Sequence, residues 1–107
     1  MSSNHRPYVS VILCVVNEFE SLRLCLEALT QQTYAAENYE IIVVNNGDNE
    51  DLGHLISQPP QVRIVRERNR GLSLARNTGI LLSRGEVIAT TDADCLPSPT
   101  WLEKGVA

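Results

Sequence analysis

Residues 8–18 read Tyr8-Val9-Ser10-Val11-Ile12-Leu13-Cys14-Val15-Val16-Asn17-Glu18, and this stretch decides the fold. It is rich in β-branched residues and almost continuously apolar, with Ser10 the one interruption before Asn17. A strand with one wet face alternates apolar and polar residues, whereas a strand covered on both faces need not. The run therefore predicts a strand buried on both sides. Asn17 ends it, and Glu20 follows three residues later, the spacing of a capping box that opens a helix. Leu22, Cys25, Leu26 and Leu29 then fall at i, i+3, i+4 and i+7, one apolar face of a helix ending near Gln32.

The same alternation runs on along the chain. Residues 40–46 (EIIVVNN) repeat the buried-strand pattern, Gly47-Asp48-Asn49 reads as a turn, and residues 51–57 as a short helix. Pro59-Pro60 separates this unit from a weaker third strand at 62–65. A turn over Asn69, Arg70 and Gly71 leads into a helix of about residues 73–83. On that helix Leu74, Thr78 and Leu81 share one direction, and Ala75 and Gly79 are small enough for close approach to a sheet. Gly85 breaks the helix, residues 86–91 (EVIATT) form a fourth strand, and Pro97-Ser98-Pro99 introduces a last helix near Thr100. Strands alternating with helices make an open α/β sheet. Right-handed crossovers bring the C-terminal ends of its strands to one edge, where ligands of such sheets bind. Four polar groups should gather there: Asn17-Glu18, Asn45-Asn46, residues 69–71 and Asp92-Ala93-Asp94.

Composition bounds the function. With 107 residues, 43% hydrophobic and 21% charged, the chain fits one soluble globular domain over residues 8–107, after a polar and loose stretch at 1–7. No apolar run reaches the ~18 residues that span a bilayer, and the first run leads into Asn17-Glu18-Phe19-Glu20, unsuited to leader cleavage. The expectation is a cytoplasmic protein, with attachment to a membrane periphery left open. A net charge of −4 disfavours a nucleic-acid partner. Eight of the nine basic residues are Arg, five of them at positions 63, 66, 68, 70 and 76. Such a patch suits a local anion, because the guanidinium fork matches phosphate oxygens, or else is simply a solvated strand end and loop. Cys14, Cys25 and Cys95 show no metal or disulfide spacing and read as small apolar residues in a reducing compartment. His5 and His54 read as ordinary surface residues.

The first strand is followed by neither a G-x-G-x-x-G turn nor a Walker A loop, which removes both common phosphate cradles. Attention passes to Asp92 and Asp94. Two carboxylates one residue apart at a strand end can converge on one point, repelling each other unless a cation joins them. One or two carboxylates together with substrate phosphates is a usual way to hold Mg²⁺. Arg76, expected in the first turn of its helix, would add positive potential for an anion, or form a surface ion pair.

At this point the residues resemble a family. Val11-Ile12-Leu13-Cys14-Val15-Val16-Asn17-Glu18, then Ile41-Ile42-Val43-Val44-Asn45-Asn46-Gly47, then Asn69-Arg70-Gly71 with Ala75-Arg76-Asn77 and Gly79, then Asp92-Ala93-Asp94 stand in the order and spacing of family 2 glycosyltransferases of the GT-A fold. The resemblance implies an open, mostly parallel, Rossmann-like α/β sheet of about four strands flanked by helices. It also implies a nucleotide-diphospho-sugar donor, commonly a UDP-sugar, and a Mg²⁺ or Mn²⁺ ion. By the same likeness Glu18 and the segment Asn45, Asn46 and Gly47 lie around the nucleoside, and Arg76 lies near the nucleotide or its phosphates. Asp92 faces the ribose or metal side, and Asp94 is the principal metal ligand.

Two departures from the family pattern stand out. Asn45 stands where an Asp is usual, so it can accept through its amide oxygen but brings no charge. Val15 and Val16 stand where a Thr and an aromatic are usual, removing a hydroxyl and a stacking surface. The likeness also implies a following half with the acceptor site and a carboxylate base, so the expectation is a donor-binding portion truncated before that half and not competent alone. Surface left open by truncation favours a homodimer. The alternatives are a non-catalytic binding or assembly module on a degenerate GT-A-like fold, or an unrelated α/β domain in which residues 92–94 are only a turn.

Overall fold

The computed structural model describes residues 6–48, 52–55 and 59–106. Four strands, β1 (Val9–Val15), β2 (Tyr39–Asn45), β3 (Val62–Arg66) and β4 (Val87–Asp92), alternate with α1 (Phe19–Thr30), α2 (Leu52–Leu55), α3 (Leu72–Leu82) and α4 (Trp101–Val106). A single 3-10 turn over Ala36–Asn38 precedes β2 and has no counterpart in the sequence reading. The strands lie in the order β3-β2-β1-β4, and each pairing is parallel. This is the open α/β sheet that the alternation implied.

The position of each strand explains its composition. β1 and β2 are central, paired on both sides and covered on both faces, and nearly all their residues are buried. β3 and β4 form the edges of the described sheet, and β4 alternates half-buried with exposed residues. One face of the sheet carries Val9, Val11, Leu13 and Val15, which pack against Leu22, Cys25, Leu26 and Leu29 of α1 and Leu102 of α4. The other face carries Ile12, Ile42 and Val44 against Ala75 of α3. A Cβ built on Gly79 would lie 2.6 Å from the Ile12 Cγ2 atom, so α3 sits this close only because position 79 has no side chain.

Several expectations change in detail. The capping box does not form: Glu18 takes the N-cap position of α1 without a side-chain cap bond, and Glu20 pairs instead with Arg23. On α3 the leucines are not the packing face; Leu74 and Leu81 point outward while Ala75 and Gly79 are buried. The helix rides on small residues because its axis must come close to the sheet. Asp92, read as lying just past the fourth strand, is its last residue. Of the cysteines, Cys25 is buried and Cys14 half-buried, but Cys95 is exposed, contrary to its apolar reading, because it follows the turn at the end of β4. His5, the side chain of His54 and most of residues 1–7 lie outside the described residues, as do the ends of the 51–57 helix.

The Ser10 that interrupts β1 has a partner. Its hydroxyl donates to the buried Glu40 carboxylate at 2.6 Å, and the amide of Gly85 donates to the same hydroxyl at 2.8 Å. Glu40 also accepts from the Arg84 amide at 2.8 Å and from Arg63 at 3.2 Å. Burial pushes the Glu40 carboxyl up, but the Ser10 hydroxyl, the Arg84 amide and the Arg63 charge outweigh it and hold the group below its ordinary value. This network joins β1, β2, β3 and the α3–β4 connection. It assigns Arg63 to structure, away from any anion site.

Candidate functional site

A cavity of about 450 Å³ opens at the C-terminal edge of the sheet. All four predicted groups reach its wall. Cys14, Val16 and Glu18 come from β1 and the loop after it, and Asn46 follows β2. Arg70, Gly71 and Leu72 lead into α3, and residues 92–94 close the far side. Parallel strands with right-handed crossovers impose this convergence, because every strand delivers its polar punctuation to the same edge.

Each predicted residue has a definite place. The Glu18 Oε1 accepts from the amides of Val16 at 2.8 Å and Asn17 at 2.9 Å, folding its own loop. Burial pushes its carboxyl up, and the backbone amides of residues 16, 18 and 17 more than reverse this, so it stays ionised to lower pH than usual. Asn45 does not line the cavity: it is buried, and its Oδ1 accepts from the Gly47 amide at 3.1 Å. Register explains this, since Asn45 pairs with Val15 and shares the α1 face of the sheet. Gly47 is also off the wall, wedged so that a Cβ would fall 1.8 Å from the Val16 carbonyl oxygen. It lets the loops after β1 and β2 touch. Asn46 lies on the wall, with its side chain bonded to backbone groups at positions 67, 69 and 71.

Asp92 pairs in register with Cys14 and so lies on the α3 face. Arg76 reaches it across the groove, Nη2 to Oδ1 at 4.0 Å, with both side chains largely exposed. Arg76 is the fifth residue of α3, in the second turn and not the first, because Gly71 takes the N-cap position and the helix starts at Leu72. Asp94 is exposed on the turn after β4, where the Cys95 amide donates to the Asp92 carbonyl at 3.0 Å. The carboxylates of Asp92 and Asp94 and the Cys95 thiol offer donor atoms within 4.8 Å of one another. Two carboxylate oxygens suit a hard divalent cation such as Mg²⁺ or Mn²⁺, and the thiol adds a softer donor. The donor set therefore fits the metal that the resemblance implied.

Arg70 was not among the predicted site residues, although its Asn-Arg-Gly turn was singled out. It lines the cavity and pairs with Asp48 at 2.8 Å, an exposed contact that water competes with. Cys14 was missed as well. Its signal was parity with Ile12, which puts it on the α3 face at the strand end.

The sequence profile of glycosyl transferase family 2 matches residues 10–107. The glycosyltransferase AglE of Haloferax volcanii is 40% identical over 106 residues, covering 94% of this chain and 35% of that protein. The solved mannosyltransferase PcManGT of Pyrobaculum calidifontis, in complex with GDP-Man and Mn²⁺, superposes with a TM-score of 0.82 at 26% identity. The match covers 96% of this chain and 32% of that one. TarS of S. aureus superposes at 0.75 with 18% identity over 91% of this chain and 30% of that one, a likeness of fold alone. The chain thus spans about a third of the length of these relatives. Its sheet and flanking helices are those of the GT-A fold, and the chain belongs to glycosyl transferase family 2.

Proposed function

We propose that this chain is the donor-binding portion of a glycosyltransferase that moves a sugar from a nucleotide-diphospho-sugar to an acceptor, assisted by Mg²⁺ or Mn²⁺. The observation that carries the reading is the convergence of loops from all four strands on one cavity, with Asp92 and Asp94 on its rim and Arg76 beside Asp92. The GDP-Man and Mn²⁺ of the Pyrobaculum relative support it.

In this reading Asp94 is the principal metal ligand and Asp92 serves the ribose or metal side. Arg76 lies by the phosphates, and Glu18 with Asn46, the residue of the 45–47 segment on the cavity wall, borders the nucleoside. A bound divalent ion neutralises charge developing on the leaving diphosphate. Arg76, beside Asp92, would add a second positive charge there. Transfer also needs a base within hydrogen-bond reach of the acceptor hydroxyl. The carboxylate near the end of the described chain, Glu103, accepts from the Thr33 hydroxyl away from the cavity. We therefore propose that these residues bind donor without transferring sugar on their own.

One observation favours a second reading, a binding or assembly module that has lost its ligand. Asn45 is buried off the cavity wall with its amide oxygen turned to the Gly47 amide, so its side chain does not face a base in the cavity. Calorimetric titration with UDP, GDP and TDP, each with and without Mn²⁺, separates the two. Metal-dependent binding that disappears in Asp94→Ala supports the first, and no heat with any nucleotide supports the second.

A further inference from the structure

Resting on the donor-binding reading, we infer that Asn46 is a positioning residue. Its side chain does not touch the donor but clamps the loop over residues 67–71 in place as one wall of the cavity. The side chain is almost fully engaged with backbone. Its Nδ2 donates to the carbonyl oxygens of Glu67 at 2.7 Å and Asn69 at 3.0 Å, and its Oδ1 accepts from the Gly71 amide at 3.0 Å. The residue itself is anchored to the rigid centre of the sheet, since its own amide donates to the Val15 carbonyl at 2.8 Å.

The loop is also tied by the Glu67 amide, which donates to the Asn45 carbonyl at 3.1 Å, and by the exposed Arg70–Asp48 pair. Residues 67–71 contain no helix or strand, and Gly71, the N-cap of α3, has no side chain to cap the helix that starts at Leu72. The loop's second anchor is Glu67, which accepts from the Asn69 amide at 2.9 Å and from the Thr78 hydroxyl of α3. Held at both ends, the loop presents residues 70–72 to the cavity and sets where α3 starts, and from α3 Arg76 reaches Asp92. One amide thus fixes the arginine side of the site relative to its acidic side.

The pattern of partners demands an amide. Two carbonyl oxygens need donors and one N–H needs an acceptor, and only Asn or Gln presents both on one side chain. A carboxylate at position 46 would satisfy Gly71 but set an oxygen against two carbonyl oxygens. Asn46→Asp, nearly isosteric, should therefore be as damaging as Asn46→Ala.

The test uses the 107-residue chain as wild type, Asn46→Ala, Asn46→Asp and Thr78→Val, the last loosening the same loop from the α3 side. Amide hydrogen exchange and the affinity for UDP and GDP with Mn²⁺ are measured on each. In Asn46→Ala and Thr78→Val the Gly71 amide should exchange faster while β1 and β2 keep their protection; in Asn46→Asp, whose carboxylate still accepts from Gly71, the faster amide should be that of Asn69. Loss of one to three hydrogen bonds should weaken nucleotide binding about ten-fold, by the same factor for both nucleotides because no base contact is removed. Weakened binding in Asn46→Ala with unchanged Gly71 exchange would mean direct contact and overturn the inference, as would unchanged exchange and unchanged affinity. Should the Asn46 variants fail to fold, Thr78→Val decides alone: full nucleotide affinity with a loosened loop would overturn it. If the wild type binds no nucleotide, the donor reading falls, and Gly71 exchange still decides whether the clamp exists.

Discussion

Glu40 sits inside the most buried strand of the sheet and remains a carboxylate because Ser10, Arg84 and Arg63 converge on it. Removing it strands those donors, so Glu40→Ala should cost about 2–3 kcal/mol in denaturant unfolding, and Glu40→Gln less. Glu18, Glu40 and Glu67 are all held below the ordinary carboxylate value of 4.5. Folded, these groups bind fewer protons than unfolded at moderately acid pH. Their stabilising contribution is complete above that value and is lost as pH falls through the depressed ones. Thermal melts should show stability declining below about pH 4.5, with a shallower decline in Glu40→Gln. The thiols differ as sharply. Burial pushes Cys25 up to about 11, and burial raises Cys14 as well, while Cys95 is exposed. Mass-resolved alkylation at neutral pH should label Cys95 first and Cys25 last; equal rates at all three would contradict the packing described.

Among the elements, α3 depends most on a single position. Gly79→Ala gains helix propensity, but the new methyl meets a branch atom of Ile12 at 2.6 Å and Val44 at 3.2 Å, deep in the α3 face. Overpacking should outweigh propensity, for a net loss of about 1–2 kcal/mol in chemical denaturation; a stabilised variant would show that the helix sits farther from the sheet. The elements themselves were largely legible. β1 and β2 could be read because burial on both faces leaves an unbroken apolar run, and α1 because its four core residues keep helical spacing. The edge strands gave weaker patterns since one side of each lacks a covering neighbour. The capping box misled because the Glu18 carboxylate satisfied the Val16 and Asn17 amides, leaving Asn17 and Glu20 no such role.

At the scale of the molecule, the convergence of four loops followed from strand order and crossover handedness alone. What the sequence concealed was which neighbour in each loop faces the cavity. Asn45 and Asn46 are adjacent and chemically identical, yet one pairs with Val15 under α1 and the other stands on the cavity wall. The period of two along β2 separates them, and the parity of Ile12, Cys14 and Asp92 marks the side that faces α3. The outer surface carries its own prediction. Leu81 is 84% exposed and Ile88 on the β4 edge is 38% exposed. Apolar side chains beside an unpaired edge favour association. Light scattering at micromolar concentration should give a mass above that of the monomer, falling on dilution; a monomer at every concentration would count against it. No described helix is long and apolar enough to cross a membrane.

The central claim is that Asp92 and Asp94 together hold a divalent cation over the cavity, where it meets a nucleoside diphosphate. Anomalous diffraction from crystals grown with Mn²⁺ and GDP or UDP tests this most directly. The account predicts one manganese peak within roughly 2–2.5 Å of oxygens from both carboxylates, with diphosphate density between that peak and Arg76. A nucleotide seated elsewhere, or manganese bound away from residues 92 and 94, would contradict it.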